Sequence, residues 1–150
     1  MKLVIQRVSK ANVKVDNKIV GEIDNGFMIL IGIKQSDTKE IADFMVKKIS
    51  KLRIFDDEQG KMNLSINDIR GKILLIPQFT LYANCKGCNR PDFINAAKPE
   101  YANNLYEYVI SKCKEENLEI QTGIFRADMK VNLINDGPVT IIMDSDELIK

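Results

Sequence analysis

Two short segments of this 150-residue chain carry the side chains best suited to chemistry. Pro77-Gln78-Phe79-Thr80-Leu81-Tyr82-Ala83 follows the apolar run 72–76, and Asn135-Asp136-Gly137-Pro138-Val139-Thr140 follows 130–134. Both runs read as strands, so both segments sit at strand ends, where small and polar residues commonly line sites. Amide groups around Gln78, Phe79 and Thr80 can stabilise an oxyanion at such a turn. Thr80 can be a nucleophile only beside a base, and a threonine in this setting also serves simply as a good strand former. On residue types alone, Asp136-Gly137-Pro138 reads as a tight type I or II turn joining two strands.

The chain contains no histidine. That excludes Ser-His-Asp and Cys-His nucleophile systems and His-ligated metal sites. It also removes the usual acid–base group near neutral pH. Any catalysis must use carboxylates, hydroxyls, backbone groups, an ion or the substrate itself. Cys85-Lys86-Gly87-Cys88 has the spacing of a metal knuckle or a redox pair. Cys113 is the one remaining cysteine and no histidine exists, so a set of four zinc ligands cannot be completed, and an idle loop pair is the expectation. Asp56, Asp57, Glu58 and Asp68 do not fit a calcium loop and read as a solvated acidic turn. No metal and no cofactor is expected.

The elements around these segments follow from pattern. Residues 3–8 and 13–15 read as strands, Asp16-Asn17 as a turn, and 19–23 as the returning arm of a hairpin. Asn25-Gly26 is a second turn before a buried strand at 27–33. Asp37 with Glu40 forms a capping-box pattern, and Ile41, Phe44, Met45, Ile49 and Leu52 make the apolar face of the helix that follows. After Arg53-Ile54-Phe55 come a polar turn at 56–60 and an irregular stretch to Gly71. Residues 84–98 read as a loop, and Pro99 suits the first turn of a second helix with the stripe Leu105, Tyr108, Val109 and Cys113. Strands at 119–125, 130–134 and 139–143 complete the chain. The expected class is α+β: a mixed or antiparallel, barrel-like sheet with two main helices packed on it.

Length suits one domain spanning 1–150. The longest apolar run, 27–33, is too short to cross a bilayer, so no membrane partner is expected. Polar residues interrupt the start too early for a signal peptide, and an odd cysteine count points to the cytoplasm. The net charge of +1 is not the field of a protein that grips nucleic acid along a track. Basic residues Lys2, Arg7, Lys10 and Lys14 gather near the start and Asp136, Asp144, Asp146 and Glu147 near the end, which reads as solvated strand faces.

Over essentially its whole length the chain resembles the D-aminoacyl-tRNA deacylases. The resemblance is carried by Gln6-Arg7-Val8-Ser9, Leu52-Arg53-Ile54-Phe55, Gly60-Lys61-Met62-Asn63-Leu64-Ser65, Gln78-Phe79-Thr80-Leu81, Arg90-Pro91, Thr122-Gly123, Ala127-Asp128-Met129 and Asn135-Asp136-Gly137-Pro138-Val139-Thr140. It implies a homodimer that acts on the 3′ end of aminoacyl-tRNA, held locally, with no DNA partner. Gln78, Phe79 and Thr80 are the implied catalytic segment, with backbone amides near Phe79 and Thr80 holding the oxyanion. Gly137 and Pro138, joined by a cis peptide, are implied to enter the partner's pocket and reject L side chains. Pro77, Met129 and Arg7 are the implied substrate-binding positions, Met129 against the terminal adenine and Arg7 supporting the Gly-Pro loop. Glycyl-tRNA mischarged on tRNA-Ala is an implied second substrate.

The chain departs from the family pattern at Pro77, where serine is usual, at Asp92, where serine follows Arg-Pro, and at Arg126, where glycine is usual. Pro77 resembles related animal deacylases that clear L-alanine from a threonine tRNA, although those replace the phenylalanine retained here as Phe79. A relaxed deacylase accepting an L-aminoacyl-tRNA and a non-catalytic protein that binds the tRNA end are therefore the alternatives.

Overall fold

A computed structural model of the chain describes residues 1–149. The elements run β1 (Lys2–Val15), β2 (Lys18–Ile23), β3 (Gly26–Gly32), α1 (Lys39–Lys51), β4 (Arg53–Asp56), β5 (Met62–Ser65) and β6 (Lys72–Pro77). A 3₁₀ turn (Phe79–Tyr82), α2 (Pro99–Glu115), β7 (Glu119–Thr122), β8 (Lys130–Asp144) and the single-turn α3 (Ser145–Leu148) follow. β4 and β5 form a separate two-stranded ribbon; the other strands share one sheet.

β1 organises that sheet. One of its sides pairs with β8 from Lys2 to Lys14; the other pairs antiparallel first with β3 and then with β2. β3, β6 and β7 run parallel to one another, and the long connections that parallel pairs need contain α1 and α2. The sheet curls until β2 approaches β7. A side-chain carbon added at Gly21 would lie 2.6 Å from the Thr122 carbonyl oxygen, so the two backbones meet only because Gly21 has none. The result is a mixed, nearly closed barrel.

Both faces of the central strands are buried, which explains why β3 reads as a continuous apolar run rather than an alternating one. One face packs Leu3, Ile5, Phe27, Ile29 and Ile31 against Met45 and Ile49 of α1 and Leu105, Tyr106 and Val109 of α2. The other fills the barrel with Val8, Ala11, Val13, Ile23, Met28, Leu74 and Ile76. No helix among the described residues is long and apolar enough to cross a membrane.

Local pattern and structure part company at several places. β1 and β8 are each one long strand instead of two short ones, because they pair with each other throughout. Asp136-Gly137-Pro138 is consequently not a hairpin turn: β8 resumes its pairing beyond it, and residues 136–139 bulge out opposite the single residue Arg7. The Gly137–Pro138 peptide is cis. The capping-box expectation also fails. The N-cap of α1 is Thr38, whose hydroxyl accepts from the Ile41 N–H. Asp37 is fully buried and accepts instead from the Met1 ammonium at 2.6 Å, while Ser145 Oγ accepts from the same ammonium at 2.7 Å. On α2 it is Tyr106, not Tyr108, that enters the core, its hydroxyl donating to the Leu75 carbonyl at 2.8 Å. The stretch before Gly71 contains β5. The opposed terminal charges partly meet, Lys2 lying 3.8 Å from Asp144 across β1 and β8.

Candidate active site

β6 delivers the first motif. Its last residue, Pro77, sits opposite Ile31 of β3. The Gln78 N–H then donates to the Ile31 carbonyl at 2.8 Å, the last bond that holds the chain to the sheet. From there it tightens into the 3₁₀ turn, where Leu81 N–H bonds the Gln78 carbonyl and Ala83 N–H bonds the Thr80 carbonyl. A helical turn leaves its first N–H groups without internal partners. Accordingly, neither Phe79 N–H nor Thr80 N–H reaches an acceptor among the described residues. The Gln78 side-chain amide donates to the Thr80 hydroxyl, which occupies Thr80 Oγ1 within the motif.

Beside this turn lies a cleft of about 730 Å³. Its walls come from segments far apart in sequence: Pro77, Gln78 and Phe79; Phe93 and the start of α2; and Phe125, Arg126, Ala127 and Met129. Phe79 is 56% exposed and packs edge-on against Phe93, ring centres 4.9 Å apart. Met129 is half-buried against the barrel-interior cluster and crowds Gly123, where an added side-chain carbon would stand 2.4 Å from Met129 Sδ. Lys98 and Arg126 are the charged residues on the walls; no carboxylate and no cysteine lines the cleft. The arrangement suits a flat, largely apolar ligand with a polarised carbonyl near the two free N–H groups, and it offers no side-chain base.

Of the residues singled out from sequence, Pro77, Gln78, Phe79 and Met129 meet at this cleft, while Thr80 stands just outside its walls. Arg7, Gly137 and Pro138 form a second group. Arg7 is buried; its Nε donates to the Asp136 carbonyl and its Nη1 to the Ile54 carbonyl, both at 2.8 Å. Asn135 closes the bulge from within, its Oδ1 accepting from the Val139 N–H at 2.8 Å. This group is not in the same chain's cleft. Arg7 shares a row of the sheet with Ile73, and Pro77 shares one with Leu3 and Met143. The bulge on β8 is thus three strands and four rows from Pro77, on the order of 20 Å along the sheet.

Sequence reasoning missed Phe93, Ala96, Ala97 and Lys98 as wall residues. They come from the loop before α2, and only Pro99 at the helix start hinted at where that loop must end. Cys85 and Cys88 are exposed in the same loop, whose base is pinned by Asn84 and Asp92. Cys113 is buried in the core, where burial pushes its thiol up to about 12. No cluster of three potential metal ligands occurs among the described residues.

Comparison with known proteins agrees with this architecture. The family model of the D-Tyr-tRNA(Tyr) deacylases matches residues 4–144. A D-aminoacyl-tRNA deacylase from Geotalea daltonii is 53% identical over 145 residues, covering 97% of both chains. One from Thermosipho melanesiensis is 50% identical over 149 residues, covering 99% of both. Among solved structures, a c-Myc DNA unwinding element binding protein superposes with a TM-score of 0.90 at 40% identity, covering 96% of this chain and 98% of its own. A probable eukaryotic D-amino acid tRNA deacylase shares the fold with a TM-score of 0.83 at 15% identity, covering 95% and 97%. The chain belongs to the D-Tyr-tRNA(Tyr) deacylase family.

Proposed function

We propose that this protein hydrolyses the ester between a D-amino acid and the terminal ribose of tRNA, releasing the free amino acid and tRNA. Its relatives at 50% identity and above over nearly the full chain support that reaction class. The observation that carries the mechanism is the pair of unbonded N–H groups at Phe79 and Thr80 beside a cleft without carboxylate or thiol. As a nucleophile adds to the ester carbon, negative charge grows on the carbonyl oxygen, and these fixed donors stabilise it. The attacking oxygen comes from water, helped into position by the adjacent ribose 2′-hydroxyl; its proton passes to the 3′-oxygen as that oxygen departs, leaving the free amino acid and the tRNA 3′-hydroxyl. An activated ester requires no strong protein base, which suits a chain without histidine.

Chiral selection is assigned to the Gly137–Pro138 bulge acting across a homodimer. Its distance from its own cleft supports delivery to a partner's cleft. Ile142 and Ile134 on the outer face of β8, 73% and 60% exposed, offer apolar surface for that association. Carbonyl groups facing the substrate α-carbon exclude an L side chain by collision or by burying unpaired polar groups. Glycine has no side chain to exclude, so glycyl-tRNA is a second substrate in this reading. The site of action is the cytoplasm, where charged tRNA is found.

Pro77 and Arg126, both on the cleft wall, favour one alternative: a relaxed enzyme that also accepts an L-aminoacyl-tRNA such as L-alanyl-tRNA(Thr). Purified protein incubated with D-tyrosyl-, glycyl- and L-alanyl-tRNA separates the readings. Cleavage of the first two alone supports the proposal, cleavage of all three supports the relaxed enzyme, and tRNA binding with no cleavage leaves a tRNA-end binding protein.

A further inference from the structure

Arg126 stands in a backbone conformation that disfavours it. Its φ is +68°, in the left-handed region where any side chain beyond glycine is strained. Such strain, when it occurs on the wall of a cleft, is a reason to look for function. The local structure gives the residue no other employment. Its guanidinium has no ion pair among the described residues, and its acidic neighbour Asp128 is engaged by Lys130 at 2.9 Å. Lys98 also lines the cleft, its side chain likewise without an ion pair among the described residues. Its backbone N–H is fixed by Gln35 Oε1 at 3.1 Å, which anchors the position from which the side chain extends. Two uncommitted cations therefore stand on the rim of a cleft whose walls are otherwise apolar except for Gln78.

We propose that Arg126 and Lys98 form a phosphate-binding pair for the phosphodiester next to the terminal nucleoside of the substrate. This rests on the deacylase reading for its substrate but adds a site and a ligand chemistry to it. An arginine fork matches two phosphate oxygens at once, and a lysine adds a compact positive charge. With a net charge of only +1, the protein has no broad field to hold RNA, so attraction must be concentrated at the few cations near the site.

The test uses R126G, because glycine fits the +68° backbone and the variant should fold at least as well as the parent. Two readouts are taken across a potassium chloride series. One is kcat/KM for D-tyrosyl-tRNA relative to D-tyrosyl-adenosine, which has the same ester and no phosphate. The other is the affinity for an uncharged RNA hairpin ending in CCA. The expected result is a tRNA-over-ester preference about 3–10-fold lower in R126G, with the slope of log affinity against log salt shallower by about 0.7, the loss of one contact to a single strand. K98A should reduce the slope comparably, and the double variant by about twice that. Unchanged affinity and slope in R126G, or an equal loss on the phosphate-free ester, would overturn the phosphate pair. Salt-dependent hairpin binding that R126G weakens, with no ester cleaved by the parent, would sink the deacylase reading and leave the phosphate pair standing.

Discussion

Replacing Arg7 by methionine keeps the aliphatic bulk of a buried side chain and removes its donors. The parent guanidinium bridges β1, the 136–139 bulge and β4, through bonds of 2.8 Å to the carbonyls of Asp136 and Ile54. Hydrogen bonds from a charged donor contribute about 1.5–3 kcal/mol each. The third contact, to Asp56 at 3.5 Å, involves a half-exposed carboxylate and adds at most about 1 kcal/mol. R7M should therefore lose about 3–6 kcal/mol of stability. For a domain of this size that lowers Tm by at least about 6 °C. Urea unfolding at one fixed protein concentration reads this as a lower midpoint with an unchanged slope. D56N, the control, should shift stability by less than about 1 kcal/mol. R7M should also raise cleavage of L-tyrosyl-tRNA, because the bulge loses its anchor. A midpoint for R7M equal to that of the parent would refute the reasoning, since it would mean the two carbonyls find equivalent partners without Arg7.

Three further outcomes follow from the site. G123A should push the Met129 side chain into the cleft, since a carbon there would sit 2.4 Å from Sδ. Because the obstacle is the tip of a flexible side chain, the expected cost is about 1 kcal/mol of stability with a several-fold rise in KM, and an unchanged KM would contradict the placement of Met129 against substrate. T80A should retain at least about a tenth of the activity, because the hydroxyl is taken up by Gln78 and the work is assigned to backbone N–H groups; a covalent threonine would cost several orders of magnitude. In a thiol titration of native protein near pH 8, Cys85 and Cys88 should react quickly and Cys113 only after unfolding, its thiol being held up at about 12 by burial. Three fast thiols would show that α2 is open where it is drawn closed.

Features encoded by neighbours in sequence were legible, and those encoded by distant partners were not. Asp16 and Asn17, with φ of 50° and 63°, make the two-residue hairpin turn that an asparagine-containing pair between apolar strands announces. The strand at 27–33 and the helix start at Pro99 were equally local. By contrast, the polar stretch Ser9-Lys10-Ala11-Asn12 looks like a break, yet it is strand because β8 and β2 supply pairing from far along the chain. Asp37 and Glu40 have the spacing of a cap, but the Met1 ammonium claims Asp37 from 36 residues away. Gly137-Pro138 favours a turn by residue type, and only the pairing of β1 with both flanks makes it a bulge. The exchange of Tyr108 for Tyr106 reflects the rotation of α2 on the sheet, which helical spacing alone does not fix. At the site, the positions of Pro77, Gln78, Phe79 and Met129 came from motif resemblance. The wall from Phe93 to Lys98 had no motif, because its role depends on where the loop folds back.

The central claim is that the cleft cleaves the ester of a D-amino acid and excludes its mirror image. The most direct measurement is kcat/KM for D-tyrosyl-tRNA against L-tyrosyl-tRNA, two substrates that differ only at the α-carbon. A collision, or one polar group left unpaired, costs the L substrate on the order of 3 kcal/mol, which corresponds to about a hundredfold. The account predicts a D-over-L ratio of at least that size; equal rates would contradict it.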